Sequence, residues 1–246
     1  MPKEIPANTQ AIITGWSDLI RVMRNMPLQC LIAVGVFSFS TLVEVMLGTL
    51  TTSRASLSVQ ETGIRLTLSV AEAFLLTPLL IGVHRLIILG ERPTGYAIAF
   101  GQPRFMRFFG WSAALLLGTS FVIMVPALMA DSGLRLMTIW VLAVASIAIS
   151  IRVVLLFPAL AVDAPGARWS NSWADTRGNG YDIFLVFLGA FVPLIVIVAF
   201  LVLPPADGGG RTLAVAVAHV LSSAVGYVLA VAIASRLYGW LADKLG

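Results

Sequence analysis

Six long runs of apolar residues, separated by short polar connections, dominate this sequence of 246 residues. Each run has about 20 residues or more, the length that an α-helix needs to cross the hydrocarbon core of a bilayer. Apolar residues make up 59% of the chain and charged residues 11%, which leaves too little polar surface to cover a soluble protein. The sequence therefore predicts an all-α, polytopic membrane bundle of six transmembrane helices. The runs are Leu28–Leu50, Ile64–Gly90, Phe105–Ala130, Leu134–Ala161, Ile183–Leu203 and Thr212–Ala234.

The basic residues predict the orientation of these spans. Twelve of the 16 Lys and Arg residues flank one side of the predicted bundle, and such residues collect on the cytoplasmic side of membrane proteins. We therefore expect a multi-pass protein of the cell inner membrane with both termini in the cytoplasm. Residues 1–27 are predicted as a cytoplasmic segment, 28–234 as the membrane domain and 235–246 as a cytoplasmic tail. The first run has too long an apolar core for a cleavable signal peptide, which favours a retained anchor.

Three aromatic and charged segments precede the first, third and fifth spans. Residues 9–27 have an amphipathic pattern, with Ile12, Trp16, Leu19, Ile20 and Met23 on the apolar face, and predict an interfacial helix. Residues 94–111 look similar, and residues 172–184 predict a short helix at the cytoplasmic interface. This order indicates a threefold internal repeat. The alternative is that any span entering from the cytoplasm needs Trp and Arg at its mouth.

Ionisable residues inside the predicted spans are candidates for a functional site, because they are costly in lipid and usually face the bundle interior. Glu44, Glu72 and His219 are expected at similar depths in the outer half of the membrane, and Arg65 shares a helix face with Glu72. Two carboxylates and a His in one polar cluster would suit proton or cation handling. The alternative is local hydrogen bonding and ion pairing that serves packing alone.

Two further features concern lipids and helix packing. Arg152, in the cytoplasmic half of the fourth span, can contact a lipid phosphate or simply extend to the interface. His84 and Arg85 lie near the inner end of the second span, where we expect them at the interface. Small residues recur every four positions in the sixth span and predict a helix-packing seam. The seam residues are Ala214, Ala218, Ser222, Gly226, Ala230 and Ala234.

Catalytic and metal-binding motifs of the common kinds do not occur in the sequence. It has no HExxH zinc motif, no Gly-x-Ser-x-Gly elbow and no phosphate-binding loop. Cys30 is the single cysteine, so neither a disulfide framework nor a cysteine metal site is expected. We expect no enzymatic activity, no cofactor and no nucleic-acid partner.

Four segments carry a resemblance to a known family. They are "TPLLIGVHRLIILGERP" (77–93), "LLFPALAVD" (155–163), "SWADTRGNGYDIF" (172–184) and "ASRLYGWLADKLG" (234–246). With these segments the chain resembles uncharacterised six-span bacterial inner-membrane proteins and, more distantly, the membrane domain attached to some glycerophosphoryl diester phosphodiesterases. The resemblance implies a six-helix fold in the cytoplasmic membrane. It implies no activity, since the catalytic portion of those phosphodiesterases has no counterpart here.

Two hypotheses of function follow from the sequence. The first is a non-enzymatic scaffold or a component that organises membrane lipids or a partner, with a second copy or another membrane protein as that partner. The second is a small permease or proton-coupled transporter that uses the intramembrane Glu and His residues.

Overall fold

The computed structural model describes residues 8–48, 59–93, 95–127, 129, 132–202 and 209–245. Within these ranges the chain forms nine α-helices and no β-strand. The helices are α1 (Asn8–Asn25), α2 (Pro27–Met46), α3 (Val59–Ile88), α4 (Pro103–Ala127), α5 (Ser132–Val153), α6 (Leu156–Ala161), α7 (Trp169–Asp175), α8 (Gly180–Val202) and α9 (Gly209–Leu241).

Six helical stretches in the described ranges are long and apolar enough to cross a membrane, which confirms the predicted polytopic all-α bundle. Five of them belong to α2, α3, α4, α8 and α9. The fourth combines α5 and α6, which are separated by a turn at Val154 and Leu155. Pro158 explains the break, because a proline ring clashes with the carbonyl group four residues earlier, here that of Val154.

Helix α9 extends further than the sixth apolar run. It has 33 residues and is about 50 Å long, whereas the hydrocarbon core of a bilayer measures about 30 Å. Residues 235–241, expected in the tail, are therefore helical. Leu237 and Leu241 are buried in a protein core that also contains Ala11 of α1. Protein contacts rather than lipid thus extend the helix.

Helix α1 forms where residues 9–27 predicted a helix, and only part of its predicted apolar face is buried in protein. Ile20 and Met23 of that face are 49% and 53% exposed, whereas Leu19 is buried. The face that packs against α8 and α9 contains Gly15, Leu19 and Val22. Small residues on this face let the helices approach closely, which an analysis of apolar periodicity does not reveal.

The three predicted interfacial segments differ in structure. A helix precedes the first span as α1 and the fifth as α7, but residues 95–102 form turns and irregular backbone before α4 begins at Pro103. The interfacial segment predicted before the third span therefore does not form a separate helix at residues 95–102. Pro93 and Pro103 bracket a stretch that also holds Gly95 and Gly101, and such residues favour turns.

Helix α9 lies at the centre of the bundle, in contact with α1, α2, α3 and α8. The hairpin of α4 and α5 is more peripheral, with α4 packed on α3 and α5. Large apolar side chains such as Phe121, Trp140 and Val144 are exposed on this hairpin. Such residues suit contact with lipid chains, and the separation of α4 from α9 leaves a space inside the bundle.

Candidate functional site

Helices α2, α3 and α9 pack on one another and bring the predicted ionisable residues into one polar cluster. Within it, the Nε atom of Arg65 lies 3.5 Å from the Oε1 atom of Glu44. Their side chains are 15% and 13% exposed. The pair joins α3 to α2, and it neutralises one of the two intramembrane carboxylates.

Glu72 lies on the same face of α3, two turns further along the helix. Its carboxylate accepts a hydrogen bond from the hydroxyl group of Ser40 and interacts electrostatically with the carboxylate of Glu44. Ser40 is 4% exposed. The two carboxylates are therefore coupled electrostatically, as the sequence predicted for neighbouring spans.

His219 attaches α9 to the same cluster. Its Nδ1 atom lies 3.1 Å from the Oγ1 atom of Thr41, which is 3% exposed. The hydroxyl group of Ser222 donates to the backbone carbonyl of His219. Whether the sixth span contacts the first two could not be decided from the sequence, and the structure places it against both.

The polar cluster is a hydrogen-bonded and ion-paired network rather than a chelating site. In the described part of the chain, no three His, Cys, Asp or Glu side chains come together in a way that could hold a metal ion. An Arg–Glu pair, a second carboxylate and an imidazole can exchange protons when they share a low-dielectric site. The same groups also satisfy one another as structural links between helices.

The seam of small residues on α9 packs against α8 at one point and borders a cavity over part of its length. Ala218 and Ala234 are buried, and Ala214 and Ala230 are half-buried. A methyl group placed on Gly226 would lie 3.3 Å from the Cε1 atom of Phe191, so the seam packs against α8 of the same chain at this point.

Part of the seam borders a partly open cavity in the bundle. The cavity has a volume of about 570 Å³, and its wall includes Ser222, Gly226, Ala230 and Ala234 of the seam. Small side chains on α9 thus leave this space open next to α4 and α8. From the opposite side, Phe108 and Ser112 of α4 complete the wall.

The structure corrects the expectation that His84 lies at the interface. His84 is 1% exposed and forms part of the cavity wall. It shares a helix face with the buried residues Leu76, Leu80 and Ile87. The helical spacing of these apolar residues was the available signal that His84 faces the interior.

Arg152 contacts protein groups on the short helix α7. Its Nη1 atom donates to the carbonyl oxygen of Thr176 at 2.9 Å, and its guanidinium group lies 5.7 Å from the ring centroid of Trp173. Ser172 donates back to the Arg152 carbonyl oxygen. The polar strip 172–184 therefore anchors α7 to the end of α5, while a lipid phosphate contact at Arg152 stays a prediction.

Sequence reasoning missed an ion pair between the first and last helices. The Nε and Nη2 atoms of Arg236 lie 2.5 Å and 2.8 Å from the two carboxylate oxygens of Asp18, which is 2% exposed. The basic flank and the amphipathic pattern of residues 9–27 give no reason to pair Arg236 with Asp18. The two residues are 218 positions apart, so no local pattern indicates the pair.

Comparison of the chain with protein-family models, with curated proteins and with solved structures finds no match. Its function is therefore argued from the two features described above, the cavity and the polar cluster.

Proposed function

We propose that the protein is a non-enzymatic component of the cytoplasmic membrane that binds and organises lipid through the cavity between α4, α8 and α9. The observation that carries this proposal is a partly open cavity of about 570 Å³ that is lined mostly by apolar side chains. A cavity of this size and character is typical of sites for small apolar molecules. Inside a bilayer, the apolar molecules at the highest concentration are lipids.

The shape of the cavity supports a lipid chain as its occupant. Its wall follows α3 from Ala73 to His84, a distance of about 16 Å at 1.5 Å per residue. That is about half the thickness of the hydrocarbon core. Aromatic rings from α4 and α8, including Phe108, Phe187 and Phe191, line the space. A single acyl chain lying along α3 matches this length and polarity.

The positive flank supports the placement in the cytoplasmic membrane with both termini inside. Basic residues near the inner ends of the spans interact favourably with anionic lipid head groups. The resemblance to six-span bacterial inner-membrane proteins points the same way. Lipids are accordingly the proposed partners, and a second copy or another membrane protein would be organised through them.

Filling the cavity tests this function. Ala230→Phe and Ser112→Phe each place a ring in the cavity from opposite walls, whereas Ala71→Phe adds the same ring on the exposed face of α3. We expect the first two variants to retain several-fold less lipid than wild type after purification in mild detergent, measured by mass spectrometry of the extracted lipid. Ala71→Phe should retain as much as wild type.

Equal lipid content in wild type and both cavity variants, with all three proteins folded by circular dichroism, would contradict lipid binding in the cavity. Filling an empty cavity would instead raise the melting temperature without changing the lipid content. The two readouts together distinguish a binding site from a packing defect.

A second candidate function, proton-coupled transport, is favoured by the polar cluster. Glu44, Glu72 and His219 come from three helices and share one region of the bundle with Arg65. Carboxylates and imidazoles in this arrangement are the groups that relay protons in pumps and transporters. The Glu44–Arg65 pair would have to open for both carboxylates to take part.

Flux measurements decide between transport and a structural role. Wild type, Glu44→Gln and Glu72→Gln are reconstituted in vesicles with a pH-sensitive dye inside, with Glu91→Gln as a control outside the spans. Transport predicts a proton flux in wild type that Glu72→Gln abolishes and Glu91→Gln leaves unchanged. Absence of flux in every vesicle, with wild-type stability of the variants, would remove the transporter hypothesis.

A further inference from the structure

His84 contributes the one imidazole to the mostly apolar wall of the cavity, as far as the described residues show. The imidazole is 1% exposed, and its Nδ1 atom lies 2.8 Å from the Oγ atom of Ser235 on α9. Its Nε2 atom has no hydrogen-bond partner among the described residues. Because Nδ1 is turned towards Ser235, Nε2 is the ring nitrogen without a hydrogen bond, on a residue that lines the cavity. A buried polar atom of this kind costs stability unless a ligand supplies its hydrogen bond.

The hydrogen bonds of Ser235 determine which nitrogen of His84 carries the proton. The Ser235 hydroxyl group donates its single hydrogen to the carbonyl oxygen of Val231 at 2.8 Å. Its oxygen can therefore only accept from His84, so Nδ1 bears the hydrogen. The hydrogen-bond and aromatic partners of the ring among the described residues are Ser235 and Phe108, and neither carries a charge. Because a buried charge without a partner is costly, the ring is neutral. Nε2 is then a hydrogen-bond acceptor.

The remaining wall of the cavity selects against charged ligands. Among the described residues that line it, none is Lys, Arg, Asp or Glu. Its other polar groups are hydroxyl groups, such as those of Ser112, Thr119 and Ser223. A phosphate head group would find no cation here, whereas an alcohol would find both acceptors and donors.

We propose that the cavity binds a neutral lipid whose polar end is a hydroxyl group, of the diacylglycerol class, and that this hydroxyl group donates a hydrogen bond to Nε2 of His84. This inference rests on the proposed function and names its ligand. His84 lies four residues from the end of α3 at Ile88, about 6 Å below the end of the helix. The hydroxyl group would therefore lie near the membrane surface, and an acyl chain would run about 16 Å along α3 towards Ala73.

The test compares two ligands that differ in one hydrogen-bond donor. Purified full-length protein in detergent is titrated with dioleoylglycerol and with its O-methyl ether, and binding is followed by native mass spectrometry. One hydrogen bond contributes about 0.5–1.5 kcal/mol, so wild type should bind the alcohol roughly 2- to 12-fold more tightly than the ether. His84→Phe keeps a ring and removes the acceptor, and it should bind the two ligands equally.

The outcomes separate this inference from the proposed function. Equal binding of both ligands by wild type, with loss of both in Ala230→Phe, would overturn the role of His84 and leave lipid binding intact. A clear preference for dioleoylphosphatidic acid over dioleoylglycerol would overturn the neutral ligand class. Binding of no lipid by wild type would overturn both proposals. The comparison in wild type needs no substitution, so the test stands even where His84→Phe fails to fold.

Discussion

Asp18 is the one acidic residue that is fully buried in the described part of the chain, at 2% exposure. It is tolerated there because the guanidinium group of Arg236 meets both of its carboxylate oxygens. Two-point contacts of this kind are among the stronger hydrogen bonds in proteins. The pair therefore fixes α1 on α9 at a defined register, near the end of α9 that extends beyond the sixth apolar run.

Removal of the Asp18 charge should destabilise the protein. Asp18→Asn leaves the guanidinium group of Arg236 without its counter-ion, and we expect a loss of about 1–3 kcal/mol in the free energy of unfolding. This expected loss is smaller than the loss for a fully buried ion pair, because the Arg236 side chain is 34% exposed. SDS-driven unfolding in mixed micelles measures this. Arg21→Gln, at an exposed position of α1, is the control.

A double-mutant cycle with Arg236→Gln completes the test. If the two side chains stabilise each other, the double variant should lose less free energy than the sum of the single variants. Strictly additive losses would show that Asp18 and Arg236 act independently, contrary to the geometry.

Tyr96 gives a prediction about pH. Burial raises the pKa of the Tyr96 hydroxyl group to about 12, compared with about 10 in an unfolded chain. The stability of the folded protein is thus independent of this ionisation below pH 10 and falls as the pH rises from about 10 to 12, because the unfolded chain ionises first. Wild type should lose stability over this interval more steeply than Tyr96→Phe, as measured by melting temperature.

The Tyr96 hydroxyl group also lacks a hydrogen-bond partner among the described residues. Tyr96→Phe should therefore be neutral or stabilising by about 1 kcal/mol at neutral pH. Tyr181→Phe is the control, since the Tyr181 residue is 71% exposed and its pH profile should follow wild type. Parallel losses of stability in wild type and Tyr96→Phe would refute the assignment.

At the scale of single residues, the sequence predicted part of the site. Depth and helical spacing predicted Glu44, Glu72 and Arg65 in one region of two consecutive spans, and in the structure Arg65 pairs with Glu44 across these spans. The helical spacing of apolar residues on α3 was a local signal for the burial of His84. The Asp18–Arg236 pair depends on how distant helices pack, and such a contact has no signature in a local pattern of residue types.

At the scale of helices, the packing of α1 is the clearest addition to the sequence-based interpretation. An amphipathic pattern predicts a helix but not its partner, and here that partner is protein on two sides. The Nε1 atom of Trp16 donates to the Ala190 carbonyl oxygen of α8 at 3.2 Å. The tryptophan predicted on the apolar face of an interfacial helix thus binds the neighbouring helix.

The contact of α1 with α8 depends on Gly189. A Cβ atom at this position would overlap the Cδ1 atom of Ile12, the far end of a flexible side chain, so we expect Gly189→Ala to cost about 1 kcal/mol, the low end of the range for overpacking. Gly118→Ala is the matched control in α4, where a Cβ atom would meet no neighbouring atom within 4 Å. It should be neutral or stabilising by up to about 1 kcal/mol, since Ala favours the helix.

Both Gly→Ala variants are measured by the same SDS titration. Shortening the facing side chain in Gly189→Ala/Ile12→Ala should recover part of the loss, because it removes the clash. If Gly189→Ala is as stable as Gly118→Ala, α1 does not pack on α8 as described.

At the scale of the whole molecule, the sequence predicted the number of spans because lipid imposes a length on every helix that crosses it. It could not predict the central position of α9 or the cavity beside it. Both arise from the contacts of one long helix with α1, α2, α3, α6 and α8. The extension of α9 to Leu241 also shows where protein contacts, rather than lipid, determine the structure.

Orientation in the membrane is a property of the whole molecule that the basic residues predict. Gly133 lies at the start of the fourth span, Glu91 follows the end of the second span, and both residues are exposed. The predicted orientation places these two ends on opposite sides of the membrane. In a Cys30→Ser background, a membrane-impermeant maleimide should label Gly133→Cys in intact cells and label Glu91→Cys only after the membrane is permeabilised. The twelve basic residues on the Glu91 side explain this direction, since they are held back from translocation.

The reverse labelling pattern would place both termini outside, and the polar cluster would then lie in the cytoplasmic half of the bilayer. In that orientation the hydroxyl-binding end of the cavity would face the outer leaflet, so this measurement also determines which leaflet supplies the lipid.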